Sequence, residues 1–292
     1  MSQSMQIAIS GSTGFIGRYL SDAFLRHGYQ TVPLTRDDFR RSADSLKSKL
    51  NGCEAVINLA GAPIAARWTA AYKKILYDSR IVTTRAIVAA LGGLQERPKV
   101  LISASGTGIY RSEGIHTEED THYADGFLGR LAQDWEHEAL CAQEFGVRTV
   151  VFRFGVVLGR NGGALQRMLP LFRLGLGGRL GSGTQPFSWV HIADLTSAIT
   201  RAVTDPDLTG IYNLTAPHPT TNAVFTRILS ALLHRPAWLT VPAWALKLQF
   251  GEAASVLLEG QHVLPTRLLA AGFCFAFPTI QEALSDLLQK RT

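Results

Sequence analysis

Two stretches of the 292-residue sequence carry residue types that could do chemistry. The first is Gly11-Ser12-Thr13-Gly14-Phe15-Ile16-Gly17, whose glycine spacing suits a turn around phosphates. Glycine at 11 permits a turn that a Cβ would hinder. Glycine at 14 lets the main chain approach a pyrophosphate, and glycine at 17 lets a helix pack closely on a strand. A helix opening there would present free N–H groups and the positive end of its dipole to an anion. The turn follows a strand and opens a helix, the context that favours a phosphate loop over the alternative, a glycine-rich turn with no ligand. The second stretch is Ser103-Ala104-Ser105-Gly106-Thr107-Gly108-Ile109-Tyr110. Its polar hydroxyls, at the carboxyl end of a central parallel strand, would sit where open α/β sheets place their chemistry.

A third position bears on what the glycine turn would hold. Thr35-Arg36 closes the second apolar run, Gln30 to Thr35. Sites that prefer NAD usually place an acidic residue there, on the adenosine ribose hydroxyls. An arginine suits a 2′-phosphate instead, because its fork of donors matches phosphate oxygens. The expectation is therefore NADP(H), against a solvated loop arginine as the alternative; Asp37 and Asp38 follow directly and weigh slightly against it. His191, inside Trp189-Val190-His191-Ile192-Ala193-Asp194, could shuttle protons, but a packed, hydrogen-bonded histidine is the favoured reading.

The elements that must position these residues alternate. Gln6 to Ser10 is apolar at nearly every position, as in a parallel strand buried on both faces, and an amphipathic helix follows from Arg18 to His27. Ala55 to Ala60 is a strand running into Gly61-Ala62-Pro63, where small residues let a flat cofactor pass close to the backbone. Trp68 to Leu91 reads as mostly helix, Val100 to Ile102 as strand, Gly126 to Phe145 as helix and Arg148 to Phe154 as strand. This order calls for an α/β fold with a doubly wound parallel sheet. Beyond Gly155 the regularity fades. Met168 to Leu174 reads as helix and Gly175 to Gly183 as a loop over the site or a mere connector. Asp194 is expected to cap a helix from Leu195 to Val203, with a strand at Ile211 to Leu214 and helices at Asn222 to Leu233 and Thr279 to Leu288. The division expected is a nucleotide-binding core over 1–155 and a smaller, mixed, substrate-side region over 156–292, with 189–214 returning to the core sheet. Pro236 to Phe250, with Trp238 and Trp244 between prolines, reads as a packed lid or a subunit contact, which leaves room for a homodimer.

Composition excludes several classes. Hydrophobic residues make up 46% and charged residues 18%, enough for a sizeable core. The formal charge is +6, but the basic residues are scattered, and the nearest cluster, Arg36 with Arg40 and Arg41, is interrupted by Asp37 and Asp38. That argues against a nucleic-acid partner and for local anion pockets. The three cysteines, Cys53, Cys141 and Cys274, have no metal-ligand spacing and read as buried reduced thiols; no metal is expected. The polar first four residues argue against a secretory signal, and no window approaches ~18 apolar residues, so no membrane partner and a cytoplasmic location are expected.

Taken together, the chain resembles an extended short-chain dehydrogenase/reductase, through the glycine turn, Asn58-Leu59-Ala60-Gly61, the Ser103 to Tyr110 segment and Trp189 to Asp194. More narrowly it resembles the atypical NADP-binding, epimerase-like group. The carrying stretches are Asp78-Ser79-Arg80 with Thr83-Thr84, Gly155 to Leu158, Phe172 to Gly178, Gly181-Ser182-Gly183, Leu258 to Gln261 and Phe277-Pro278. The resemblance implies a cofactor site from the glycine turn, Thr35, Arg36, Leu59, Ala60, Gly61, Arg80 and Ser103. It also implies that Ser105 orients a substrate carbonyl, with Tyr110 the nearest remaining phenol. One departure matters. Typical members pair a tyrosine with a lysine four positions later, which lowers the tyrosine pKa. None of the seven tyrosines here has that lysine, and the expected helix offers Phe127 and Leu131. A second departure is Ala62, where relatives commonly carry glutamate. The leading expectation is an NADP(H)-dependent, epimerase-like oxidoreductase with a rearranged acid/base set acting on an unidentified small molecule. The alternative is a non-catalytic NADP(H)-binding redox sensor.

Overall fold

The structure is a computed structural model that describes residues 5–40 and 43–289; Arg41, counted above in the basic cluster, and the first four residues lie outside them. The chain begins with β1 (Gln6–Ser10), α1 (Phe15–Arg26), β2 (Gln30–Leu34), α2 (Arg36–Arg40), α3 (Ala43–Leu50) and β3 (Cys53–Asn58). It continues through α4 (Ala70–Asp78), α5 (Ile81–Gly92), β4 (Val100–Gly106), β5 (Ile115–His116), α6 (Phe127–Leu140) and β6 (Arg148–Phe154). Next come β7 (Val156–Gly159), α7 (Gly163–Arg173), β8 (Gly178–Leu180), β9 (Pro186–Phe187), β10 (Trp189–His191), α8 (Ile192–Thr204) and β11 (Gly210–Leu214).

Six of these strands form one parallel sheet in the order β11-β6-β4-β3-β1-β2. Side chains alternate across it. Ile7, Ile9, Ile57, Ile102 and Phe152 face α1 and α8, where Leu20, Phe24, Leu195 and Ile199 meet them. Ala8, Val56 and Leu101 face the other way, onto Leu46 and Leu50 of α3 and Ile87 and Leu91 of α5. Burial on both faces is why these strands read as continuous apolar runs. The chain passes from β1 outward to β2 and then returns to the other side of β1 as β3. The crevice beyond the carboxyl ends of β1 and β3 is thus the switch point where doubly wound sheets hold ligands.

The remaining elements are β12 (Thr220–Thr221), α9 (Asn222–Leu232), β13 (Leu239–Val241), α10 (Ala243–Phe250), α11 (Ser255–Leu258), β14 (His262–Val263), α12 (Thr266–Ala270) and α13 (Ile280–Leu288). Short two-stranded pairings link β10 with β7, β12 with β9, β13 with β8 and β14 with β5. A separate core of Leu165, Phe172, Trp189, Phe225, Leu229 and Leu284 holds this part together.

Several elements differ from expectation. The helix read over Trp68 to Leu91 is two helices, because Arg80 N donates to Tyr77 O at 3.0 Å, tightening the last turn before α5 restarts. The segment read as a loop, Gly175 to Gly183, contains β8; a Cβ on Gly178 would collide with Leu239 O, so that glycine marks a close strand approach. Asp194 is not the cap of its helix. His191 is, its Nδ1 accepting from Ala193 N at 3.1 Å, while Asp194 accepts from the N–H groups of Ala276 and Phe277 at 2.7 and 3.1 Å. Within 189–214, β11 forms the sheet edge, whereas β10 pairs with β7 outside the main sheet. Of the three thiols only Cys53 is buried; Cys141 is partly buried and Cys274 is exposed. No helix among the described residues is long and apolar enough to cross a membrane.

Candidate functional site

The glycine turn sits at the switch point. Gly11 adopts φ +73°, and a Cβ there would lie 3.1 Å from Leu59 O, so glycine answers both a left-handed backbone and the approach of the β3 strand end. A Cβ on Gly17 would strike Gly11 O and Ser12 Cα; the close approach is to the turn itself. Gly14 is exposed and meets only Gly11 O. Helix α1 opens at Gly14 with no side-chain cap and no acidic residue in its first turn, which leaves its N-terminal N–H groups turned to the crevice. Thr13 is exposed, Ser12 and Ile16 are partly buried, and Arg18, which sequence reading passed over, donates to Thr13 O at 3.2 Å beside the turn. Phe15 does other work: its ring fills the space over Gly159, Gly162 and Gly163.

The wall opposite is held by a polar chain. Ser10 Oγ donates to Asn58 Oδ1 at 2.6 Å and accepts from Leu59 N and Ala60 N at 3.1 and 3.2 Å. Asn58 Nδ2 donates to Thr84 Oγ1 at 2.7 Å, and Trp135 Nε1 donates to the same oxygen at 3.0 Å. The strand end Leu59-Ala60-Gly61 is therefore fixed from β1, α5 and α6 together. Arg80 lies buried beneath it, donating to Ala62 O at 3.0 Å and Leu76 O at 3.1 Å, with Trp135 at 5.2 Å from its Cζ. Burial pulls its pKa down to about 10, so it stays cationic, and it has no carboxylate partner among the described residues. A Cβ on Gly61 would come within 2.9 Å of this guanidinium.

At the end of β2, Thr35 is exposed, and its N–H and hydroxyl both donate to Asp38 Oδ2 at 2.7 Å. Lys49 Nζ donates to the same oxygen at 2.8 Å. Burial pushes the Asp38 pKa upward, but these bonds outweigh it and hold the carboxyl below its ordinary value. Asp38 is thus consumed locally. Arg36 is exposed and makes no hydrogen bond or ion pair among the described residues.

The Ser103 to Tyr110 segment is placed differently from expectation. Ser103 is buried, its Oγ 3.4 Å from Ala104 O. Ser105, 4% exposed, donates to Glu136 Oε1 at 2.6 Å. Arg153 grips the same carboxylate twice, Nε to Oε1 at 2.8 Å and Nη2 to Oε2 at 2.7 Å. Its Nη1 donates to Tyr110 Oη at 2.7 Å, and Tyr110 in turn faces Asn213 Oδ1 at 2.8 Å and Thr117 O at 3.0 Å. Burial alone would lower the Arg153 pKa; Glu136 holds it above its ordinary value. Tyr110 does not ride on a free loop: it is 1% exposed, stacks on His116 at 4.9 Å, and burial pushes its pKa up to about 12. The glycines at 106 and 108 give it no freedom because the phenol is anchored from three sides.

Phe127 and Leu131 lie on α6 in an apolar cluster with Trp68, Leu76, Trp135 and Ala253, joined by Leu59, Phe154 and Phe250. The C-terminal part reaches this cluster and is latched there: Lys73 pairs with Glu252 at 2.5 Å, and Arg67 donates to Leu248 O at 3.2 Å. No group of three or more His, Cys, Asp or Glu among the described residues could hold a metal ion. The residues missed by sequence reading are Glu136 and Arg153. A signal existed, since an arginine within the apolar strand Val150-Val151-Phe152-Arg153-Phe154 needs a buried partner.

A six-stranded parallel sheet with an uncapped glycine turn at its switch point defines a Rossmann-type, dinucleotide-binding class of fold. Residues 7–215 match the NAD dependent epimerase/dehydratase family, and the chain belongs to that family. Residues 241–287 match a domain of unknown function (DUF1731). Relatives include the chloroplastic epimerase family protein SDR39U1 homolog of Arabidopsis thaliana, 38% identical over 98% of this chain and 87% of its own. The Bos taurus epimerase family protein SDR39U1 is 38% identical over 97% of this chain and all of its own length, 100%. The human SDR39U1 protein, crystallised with NADPH, superposes with a TM-score of 0.90 at 35% identity, covering 97% of this chain and 99% of the other.

Proposed function

We propose that this protein is an NADP(H)-binding, epimerase-like oxidoreductase of the atypical extended short-chain dehydrogenase/reductase kind, without the Tyr-x-x-x-Lys pair, acting on a small molecule. The observation that carries it is the uncapped N-terminus of α1 beside Gly11 and Gly14, with Arg36, just beyond β2, without a partner among the described residues. The NADPH found on the human relative supports the same reading. In this account Ser12 to Ile16 and the first turn of α1 hold the diphosphate, and Thr35 and Arg36 take the 2′-phosphate. Leu59, Ala60 and Gly61 form a flat wall, and Arg80 braces it from below with its positive charge. Residues 1–155 make the cofactor side and 156–292 the substrate side.

A bound nicotinamide would supply or accept a hydride in this crevice. What the chain itself contributes is positioning. Ser105 gives its one proton to Glu136, so toward a substrate it offers a lone pair and accepts from a hydroxyl. Tyr110, neutral and buried, braces Arg153. The cluster around Trp68, Phe127 and Leu131 excludes water and favours an apolar substrate face.

The second reading, a non-catalytic sensor of NADP(H), is favoured by one observation: positions 127 and 131 are built into apolar packing rather than left as a weakened acid/base pair. Mass spectrometry of metabolites retained by the purified protein, followed by turnover with NADPH, separates the two. Reduction of a retained compound with matching NADPH loss is the expected result. NADPH binding with no turnover of any retained compound favours the sensor.

A further inference from the structure

We propose that the face formed by the end of α7, β13 and the outer side of α10 docks on an anionic lipid surface. Leu174 and Leu176 beyond α7, Trp238 and Leu239, and Trp244 and Leu248 on α10 are all at least half exposed, Trp238 by 90%. These segments adjoin. Arg235 Nε donates to Arg173 O at 3.0 Å, Leu239 stands opposite Gly178 in the pairing of β13 with β8, and Pro242 joins β13 directly to α10. Trp244 and Leu248, one turn apart, share the outer side of α10, while Leu246 is buried and Phe250 packs inward on the Trp68 cluster. The helix is thus apolar on both sides, and an outer side of that kind calls for a cover.

The charge of this face sets the sign of its partner. No aspartate or glutamate occurs between Glu144 and Asp194 or between Asp207 and Glu252, and these two stretches supply every residue of the face. Arg173, Arg179, Arg227 and Arg235 are exposed on the same segments, and none has a carboxylate partner among the described residues. Sequence alone shows only Arg235 and Lys247 near the tryptophans. Folding adds Arg173, held against Arg235, and Arg179, whose Nε donates to Thr240 Oγ1 at 3.0 Å. Glu252, the first acid after α10, is already paired with Lys73. Cations gathered without carboxylates hold a positive potential over the surface they share.

A second copy of the chain does not fit. A two-fold contact would set the face on itself, arginines against arginines with no carboxylate between them. A protein partner fits less well than lipid, because the anchors of protein contacts sit in close-packed pockets, whereas these side chains stand out from the surface. Protruding indoles and leucines flanked by arginines match a headgroup layer. Indoles settle at headgroup level, leucines reach the acyl boundary, and guanidiniums meet the lipid phosphates. Such a contact needs no spanning helix, and no helix among the described residues could be one.

The test is co-sedimentation of the full-length protein with phosphatidylglycerol vesicles and, separately, with phosphatidylcholine vesicles. Binding to the first, little to the second, and loss of binding as salt is raised are expected. Trp68, Trp135 and Trp189 are buried, so a blue shift of tryptophan emission on binding reports Trp238 and Trp244. Trp238→Phe/Trp244→Phe should keep the sedimentation and lose the shift. Arg173→Ala/Arg227→Ala should weaken binding by roughly tenfold or more, with an unaltered melting temperature as the check on folding. Arg40→Ala/Arg130→Ala removes the same charge from exposed positions elsewhere and should leave binding nearly unchanged. Equal binding to both vesicles or to neither, no blue shift, or equal weakening by the two arginine pairs overturns the proposal. So does a dimer in equilibrium sedimentation that Trp238→Ala/Trp244→Ala dissociates, which would assign the face to a second copy.

Discussion

Ser105 Oγ donates to Glu136 Oε1 across 2.6 Å, and Arg153 holds that carboxylate by two bonds of 2.8 and 2.7 Å. The carboxyl end of β4 is thereby tied to a buried ion pair between α6 and β6. Removing one member leaves the other charged and uncompensated. Glu136→Ala should destabilise the protein by about 3–5 kcal/mol, read by chemical denaturation. A loss under about 1 kcal/mol, the range of an exposed pair, would show that the network is solvated and not structural.

Native redox activity should depend on Ser105 more than on Tyr110. Ser105→Ala removes that hydroxyl, whose proton already goes to Glu136, and with it the lone pair it would offer a substrate hydroxyl. Losing one such hydrogen bond should cost about 0.5–1.5 kcal/mol of barrier, up to roughly tenfold in kcat. Tyr110→Phe strips an acceptor from Arg153 and a donor from Asn213, so its effect should fall on stability, about 1–3 kcal/mol, with kcat little changed. Steady-state kinetics beside melting curves decides it. If kcat collapses in Tyr110→Phe while stability and NADPH affinity hold, the phenol is the proton donor.

Much of the sheet was legible because β1, β3, β4 and β6 are apolar on both faces and bounded by glycine or proline. The glycine turn was legible because its position, strand before and helix after, constrains it. In the C-terminal part the longer elements α8, β11, α9 and α13 were legible, but the short strand pairings were not. Gly178 looks like a loop residue, yet it lets β8 pass against Leu239, and such close approach is invisible without the partner strand. Ser105 and Tyr110 were found as hydroxyls, but their availability was misjudged. That availability is set by Glu136, Arg153 and Asn213, and Asn213 lies 103 residues beyond Tyr110 in sequence. The apolar stripe of α6 did contain the clue: Glu136 follows Trp135 on the buried side, with Ala132 and Ala139 one turn either way.

His191 gives the fold a pH dependence. Burial lowers its pKa to about 4 from 6.5, despite Asp286 Oδ2 at 3.4 Å from Nε2, with Arg160 opposing protonation from the same side. The unfolded chain therefore binds more protons between those values, and stability should fall as pH drops from about 6.5 toward 4. His191→Asn keeps an acceptor for the α8 N-terminus but removes the titration. Its melting temperature should decline less steeply over that window. Equal slopes in the two proteins would place the acid sensitivity elsewhere.

The central claim is that the switch-point crevice holds NADP(H), selected by Arg36, which opens α2 just beyond β2 and has no partner among the described residues. Calorimetric titration of NADPH and NADH into wild type and Arg36→Ala tests it most directly. A charge-assisted contact of roughly 1.5–3 kcal/mol predicts that the substitution weakens NADPH binding about tenfold or more and leaves NADH nearly unchanged. An Arg36→Ala protein that still prefers NADPH over NADH as strongly as the wild type does would contradict the account.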